Sequence, residues 1–470
     1  MKNMTRFLLI FISLLFSFGP SYSQSKYFGA DMSYVNEMEH CGVVYKEDNN
    51  PKDPYAIFKD HGGNLVRLRL WHTPSWYDQL NDGSRFSDLS DVEIAIGRAK
   101  SKGLNVLLDF HLSDNWADPS KQLVPAAWLP VVDNTSVLKD SLYNYIFKTL
   151  TALHDKELMP DMVQIGNETN KGILLSPEDN EGWTLNWNRN AILFNSALKA
   201  VKDCNQLNGT DVETVLHLAD PSNAEWLIDG FTDNGVTDFD IIAMSYYWAW
   251  HQPTTIEETG DIIEMLRSLY PDKEVLIVET GYIWTNDFND DASNIISSTH
   301  PDYHPASPEN QRDWLIDLTQ EVIDSDGLGV VYWEPFWVSS VCFTQWGQGS
   351  HQEHATYFDF DNNLIQPGGI DWMSFDYGLN TSTIELDKKP MVQILSNSTL
   401  GEVVVKQLSS LKKELDIAVL DMGGNTLIKE DFNTAEHTFQ LQDIPSGMYI
   451  ISVSQDSIPV AHKKVLFHHN

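Results

Sequence analysis

Cysteine is nearly absent from this chain: Cys41, Cys204 and Cys342 are the only three in 470 residues. That excludes a disulfide-rich scaffold, and their spacing matches no zinc site. They allow one bridge and a free thiol, or three thiols. Positive charge is also scarce. Against 67 acidic residues stand 31 basic ones, a formal net charge of −36. Such a surface repels nucleic acid and anionic membranes and tolerates a neutral substrate. Long hydrophobic runs are missing beyond the N-terminus. There Lys2 and Arg6 precede the apolar stretch Phe7–Phe16, and the small residues Ser21 and Ser23 follow. The stretch is short of the ~20 residues that span a bilayer. It reads as a signal peptide over residues 1–23, with no cysteine after the cut to take a lipid. Despite 15 histidines there is no His-Glu-x-x-His spacing, and there is no glycine-rich phosphate turn.

Hydrophobic residues make up 42% of the chain, enough for a large core. The 15 tryptophans and 17 tyrosines fit either an aromatic core or a groove whose rings stack on sugars. Short apolar runs recur at 28–33, 64–70, 104–110, 162–167, 213–218, 239–245, 274–279 and 328–333. Most are apolar almost throughout, as parallel strands covered on both faces require. Helical patterns alternate with them, at 91–100 (closed by Gly103), at 187–202, and at 309–323 after Ser307-Pro308. This alternation predicts an α/β fold, a (β/α)8 TIM barrel over residues 24–385, in preference to a doubly wound open sheet. Near residue 385 the texture changes. Runs at 402–405, 416–420 and 449–453, separated by turns at 422–425 and 445–447, predict a small antiparallel β-sandwich over 386–470.

Two of the predicted barrel strands end on a glutamate. One reads Met162-Val163-Gln164-Ile165-Gly166-Asn167-Glu168, the other Glu274-Val275-Leu276-Ile277-Val278-Glu279. Strand tips of one barrel converge on one mouth, so their distance in sequence is no obstacle. Two carboxyl groups at one mouth suit cleavage of a glycosidic bond. One protonates the leaving oxygen, and the other attacks the anomeric carbon or activates water. The acid must keep its proton at neutral pH, so burial or a neighbouring negative charge has to raise its pKa. Asp109, His111, Asn115, Trp116, His217 and Trp333 fall at other predicted strand tips or just beyond. Each is a candidate sugar contact, with a packed supporting side chain as the alternative.

The motifs Gly29-Ala30-Asp31-Met32-Ser33, Val66-Arg67-Leu68-Arg69-Leu70-Trp71 and Asp109-Phe110-His111-Leu112-Ser113-Asp114-Asn115-Trp116-Ala117-Asp118-Pro119 resemble glycoside hydrolase family 53, the endo-β-1,4-galactanases. So do Gln164–Glu168, Ser245-Tyr246-Tyr247, Val278-Glu279-Thr280 and Tyr332-Trp333-Glu334-Pro335, in the same order. The resemblance implies a secreted, monomeric, retaining endo-β-1,4-galactanase that hydrolyses β-1,4-galactan of pectic side chains by double displacement. It implies Glu168 as general acid/base, Glu279 as nucleophile and Asn167 on the sugar 2-hydroxyl. Arg69 would sit beside Glu279 and keep it ionised, and Tyr246 would hydrogen-bond Glu279. Arg67 shares a strand face with Arg69, so an exchange of their roles stays open. No cofactor is required for this chemistry. Bacterial relatives carry a structural Ca²⁺ near the loop after strand seven, here Asp287, Asn289 and Asp291, and in the loop after strand eight, although Phe288 stands where the family has glycine; a solvated acidic loop is the other reading. The segment 337–354 matches only in part and would border the groove. The alternatives are another retaining endo-glycanase of the same clan, cutting mannan, xylan or β-glucan, or a non-catalytic glycan-binding barrel. In the tail, Val419-Leu420-Asp421-Met422-Gly423-Gly424 and Ile444–Ile450 resemble the C-terminal sorting domains of a Gram-negative secretion route. Export machinery is then a partner, and the location is extracellular or at the cell surface without membrane insertion. A carbohydrate-binding module is the rival, and residues 385–470 contain no tryptophan.

Overall fold

A computed structural model describes residues 26–379 apart from residue 184, and the strands and part of the turns between residues 392 and 467. The signal peptide assigned to residues 1–23 and the turn expected at 422–425 lie outside these residues. Eight parallel strands form a closed barrel: β1 Tyr27–Asp31, β2 Leu65–Leu70, β3 Asn105–Phe110, β4 Met162–Ile165, β5 Glu213–Ala219, β6 Ile241–Ser245, β7 Glu274–Thr280 and β8 Gly329–Tyr332. Each falls on one of the expected apolar runs, and β8 returns to pair with β1. The principal helices between them are α1 Val35–His40, α2 Pro54–Asp60, α3 Leu89–Ser101, α4 Thr135–His154, α5 Trp187–Asn208, α6 Ala224–Asp233, α7 Ile256–Leu269 and α8 Pro308–Asp324. Asp88, Asn134, Asn186, Thr255 and Ser307 start α3, α4, α5, α7 and α8 by accepting an otherwise orphaned backbone N–H. α5 runs past the expected Lys202 because nothing breaks it before Gly209, whose φ of 67° closes the helix.

Side chains two apart in a strand share a face. In the lower barrel Leu65, Leu107, Met162 and Val215 point inward and pack with Leu276 and Val331. Burying each such side chain contributes about 2 kcal/mol. Two residues further along the same strands, the buried positions are Arg67, Asp109, Gln164 and His217. The barrel is therefore an apolar plug that carries a polar layer toward its C-terminal mouth.

β7 departs from regular pairing. Met244 of β6 pairs with Ile277, but the next residue, Ser245, pairs with Glu279, and the register against β8 shifts in the same place. One extra residue in β7 makes a bulge. It lets Val278 join the inner apolar plug while Glu279 also opens on the mouth.

The loop after β8 carries a short hairpin, β9 Phe343–Thr344 and β10 Gly347–Gln348. Cys342 at its base is bridged to Cys41, which follows α1, and Cys204 is a buried free thiol. Asn81 fixes the hairpin further, its side chain donating to and accepting from the Phe343 backbone at 2.8 Å each way.

Contacts divide the chain between Tyr377 and Gly378. Beyond that point β11 Val392–Asn397, β12 Glu402–Gln407 and β15 Glu436–Gln440 form one antiparallel sheet. β13 Leu415–Leu420, β14 Thr426–Phe432, β16 Gly447–Gln455 and β17 Ile458–Phe467 form a second, also antiparallel. Val403, Val405 and Phe439 of the first sheet share one core with Ile417, Val419, Ile451 and Val453 of the second. Alternate residues of β13 are buried, the pattern of a sheet with one covered face. No described helix is long and apolar enough to cross a membrane.

Candidate active site

β4 ends at Ile165, and the chain then turns sharply through Gly166 and Glu168, with φ of 78° and 47°. A β-carbon at Gly166 would lie 2.6 Å from Thr169 Cγ2, so the turn requires glycine. A positive φ at glutamate is uncommon and is held by its surroundings. His217 Nδ1 accepts the Glu168 backbone N–H at 3.3 Å and the Gln164 amide at 3.1 Å. His217 Nδ1 also lies 3.0 Å from Asn167 Oδ1, its Nε2 lies 2.9 Å from Ser245 Oγ, and Ser245 donates to Glu168 Oε1 at 2.7 Å. Burial raises the Glu168 carboxyl well above the usual range, and the neighbouring Glu279 raises it further. With Oε1 taken by Ser245, the proton belongs on Oε2.

Glu279, at the bulged end of β7, accepts from Arg67 Nη1 at 3.0 Å and from the Tyr247 hydroxyl at 3.0 Å. Burial pushes its carboxyl up to about 7, while Arg67 and Tyr247 hold it down. Arg67 cannot lower it fully because that guanidinium also serves Asp31 at 3.0 Å and Asp109 at 2.9 Å. Of the two glutamates, Glu168 keeps its proton to the higher pH.

The structure sorts the remaining sequence candidates. Asn167 lies beside Glu168, accepting from Arg67 at 2.7 Å and donating to the Ala117 carbonyl at 2.8 Å. Trp116 and Trp333 line the mouth with their ring centres 5.8 Å apart. Asn115 donates to Gln345 of the β9–β10 turn at 2.9 Å. Asp109 and His111 are buried below, bonded to each other at 2.8 Å, and His217 is buried under Glu168. None of these three is among the side chains lining the mouth cavity.

Two expected placements are corrected. Arg67, not Arg69, reaches Glu279. Arg69 instead donates to Glu334 at 3.0 Å and lies under a cage of rings from Tyr34, Trp71 and Trp116, 4.2–4.8 Å away. Likewise Tyr247, not Tyr246, bonds Glu279. Ser245 points inward to Glu168, so alternation sends Tyr246 outward, where its hydroxyl donates to the Thr254 carbonyl at 2.9 Å. The same counting brings Tyr247 back inward, and that signal was present in the Ser-Tyr-Tyr triplet.

Asp287, Asn289 and Asp291 are exposed, and Asn289 and Asp291 line one cavity with Asp290, Ser339, Ser340 and Gln348. Protein groups hold the loop. The Asn289 N–H donates to Glu353 at 3.0 Å, and Asp290 accepts from the backbone of Ser350 and Ala292 at 2.7 and 2.9 Å.

Glu168 and Glu279 open on one cavity of about 530 Å³. Trp116, Trp250, Trp333, Trp337 and Trp346 supply apolar faces, and Asp118, Asn294 and His351 supply polar edges. Trp250, Trp337, Trp346 and His351 come from loops after β6 and β8 whose course the strand pattern did not fix. Such a cavity, aromatic-walled with two carboxyl groups of unequal proton affinity, suits acid-assisted cleavage of a neutral sugar chain.

The chain matches the family model described as glycosyl hydrolase family 53 over residues 27–367. Residues 383–467 match the secretion system C-terminal sorting domain. An arabinogalactan endo-beta-1,4-galactanase from Cellvibrio japonicus is 44% identical over 335 residues, 71% of this chain and 86% of that protein. The endo-beta-1,4-galactanase of Bacillus subtilis is 31% identical, covering 70% of this chain and 77% of its own length. Among solved structures, the Ignisphaera aggregans GH53 catalytic domain aligns with a TM-score of 0.65 at 31% identity, over 75% of this chain and 97% of that one.

Proposed function

Since the chain belongs to glycosyl hydrolase family 53, we propose that it is an endo-β-1,4-galactanase that works by retaining double displacement. Its sorting tail directs it outside the cell or to the cell surface. The reading rests on one observation above the rest: two carboxyl groups on a single cavity, one hydrogen-bonded by Ser245 and the other held by a guanidinium and a phenol. A sugar ring lies against Trp116 and Trp333. Glu279 attacks the anomeric carbon as the bond to the leaving oxygen breaks, and Glu168 gives that oxygen its proton. The product is a glycosyl ester on Glu279. Glu168, now a carboxylate, takes a proton from a water that attacks the same carbon, and Glu279 leaves as a carboxylate. Arg67 and Tyr247 stabilise that carboxylate before and after the ester exists. Ser245 and His217 keep the acid's other oxygen occupied, so the proton faces the substrate.

Linear β-1,4-galactan as substrate is supported by the named relatives and by the strongly acidic chain, which suits a neutral polymer. The test follows fresh products from linear galactan by NMR. Galacto-oligosaccharides released first as the β-anomer are expected. The α-anomer appearing first overturns double displacement, and intact galactan beside degraded mannan or xylan overturns the substrate.

A further inference from the structure

We propose that Glu334 is a positioning residue for the sugar platforms: through the guanidinium of Arg69 it fixes the ring wall of the mouth in the arrangement a polysaccharide needs. The inference takes its substrate from the galactanase reading above. Trp116, Trp333 and Trp337 line the mouth, whereas Arg69, Tyr34 and Glu334 are buried behind them. The rings form a closed circuit through one cation. The Arg69 guanidinium lies 4.2 Å from the ring centre of Trp116 and 4.8 Å from that of Tyr34. Tyr34 stacks on Trp337 at 3.8 Å, with the planes 14° apart. Trp337 meets Trp333 edge to face at 6.1 Å, and Trp333 returns to Trp116 at 5.8 Å.

Glu334 is bonded to this circuit repeatedly. One carboxyl oxygen accepts from Arg69 Nη1 at 3.0 Å, and the other accepts the Tyr34 backbone N–H at 3.3 Å. Its carbonyl accepts the Trp337 N–H at 3.1 Å, and Trp333 precedes it directly in the chain. Its φ of 48° is uncommon for glutamate. In that conformation Trp333 opens on the mouth while the next side chain enters the floor. Burial and the neighbouring Asp31 raise the Glu334 carboxyl well above the usual range, and Arg69 pulls it back. Its oxygens keep lone pairs for Arg69 and Tyr34 with or without a proton. Such a buried pair is weak ground for stability, since apolar groups of similar volume often serve a fold as well. What it adds is geometry. A guanidinium is attracted to a desolvated ring face, and its planar fork keeps one orientation while an acceptor fixes it. Without that acceptor Arg69 is free to turn, and Trp116 and Tyr34 lose the face they lie on.

Removing Glu334 alone would leave a buried guanidinium without its partner and endanger the fold. The test therefore uses the double variant Arg69→Met/Glu334→Leu, which leaves no lone charge, beside Glu334→Gln, which keeps an acceptor for Arg69. In the full-length enzyme the double variant is expected to keep its melting temperature within a few degrees. Its KM for linear galactan is expected to rise roughly three- to thirtyfold, the span of about one cation–π contact, with kcat falling far less, the mark of lost binding rather than lost chemistry. Glu334→Gln is expected to hold KM close to the parental value. A double variant with parental KM overturns the proposal. So does a fall in kcat at constant KM, because the pair then acts on the carboxyl groups. A double variant that does not fold overturns it as well, since the pair then serves the fold, and so does a KM for Glu334→Gln as high as that of the double variant. Failure of the parental enzyme to cut galactan defeats the galactanase reading instead, and the same comparison of KM then applies to the polysaccharide that it does cut.

Discussion

At the residue scale, the two glutamates behave differently because their neighbours do. Glu279→Gln is expected to abolish turnover of galactan with the melting temperature kept, since no other carboxylate lining the cavity has its guanidinium and phenol partners. Glu168→Ala should lower kcat on galactan by about 10² to 10⁴, the usual share of a general acid, while an aryl glycoside with a good leaving group loses far less. Activity requires Glu279 ionised and Glu168 protonated, so the pH profile is a bell whose acid limb reports mainly the loss of the first proton from this pair. Tyr247 stabilises the ionised form of Glu279. Tyr247→Phe therefore raises that pKa and moves the acid limb to higher pH. The same change should cost roughly tenfold to a hundredfold in kcat, the range for a hydrogen bond to a charged group. An acid limb that stays in place speaks against the assignment of Tyr247. A second carboxyl carries a stability prediction. Glu37 of α1 is buried, and burial pushes it up to about 8 although Tyr77 donates to it at 2.7 Å. The folded chain then holds a proton that the unfolded chain has released above about 4.5. Its contribution is full below that pH, declines as pH rises, and is gone above about 8. Glu37→Gln should flatten the fall in melting temperature between pH 5 and 8, and an unchanged slope refutes this.

At the scale of elements, the β9–β10 hairpin depends on its anchors. It carries Trp346 into the mouth cavity and is tied down by Cys41–Cys342 and Asn81. Replacing both cysteines by serine should cost about 2–4 kcal/mol of stability and raise KM for galactan more than it lowers kcat, because a platform ring is loosened and the carboxylates are not. A lowered kcat at constant KM would count against this. The eight strands could be read from sequence because most are nearly continuous apolar runs, and Gly103 and Ser307 mark helix ends by their chemistry, whereas the end of α5 at Gly209 was missed. The errors lie where a side chain's direction had to be counted. Tyr246 and Tyr247 exchange places by one step of alternation, and Arg67 and Arg69 share a face but reach different carboxylates. The β7 bulge has no letter of its own in the run Val275–Glu279. The cysteine pairing joins residues with a sequence separation of 301, beyond any local signal.

At the scale of the whole molecule, the catalytic unit and the tail each have a core of their own. Deleting residues 378–470 is expected to leave galactan turnover by the purified enzyme within about twofold while stranding it inside the producing cell. An activity assay on culture fluid against cell lysate checks both halves. The charge balance adds that soluble polygalacturonate should be a poor inhibitor, improving as salt screens the repulsion. The long-range bridge has one more effect, on connectivity. With Cys41 joined to Cys342, most of the barrel is a covalent ring bearing two tails. A single cut by a protease in any surface turn of that ring opens it without freeing a fragment, so in surroundings rich in digestive enzymes the first nick leaves one molecule still able to hold its shape.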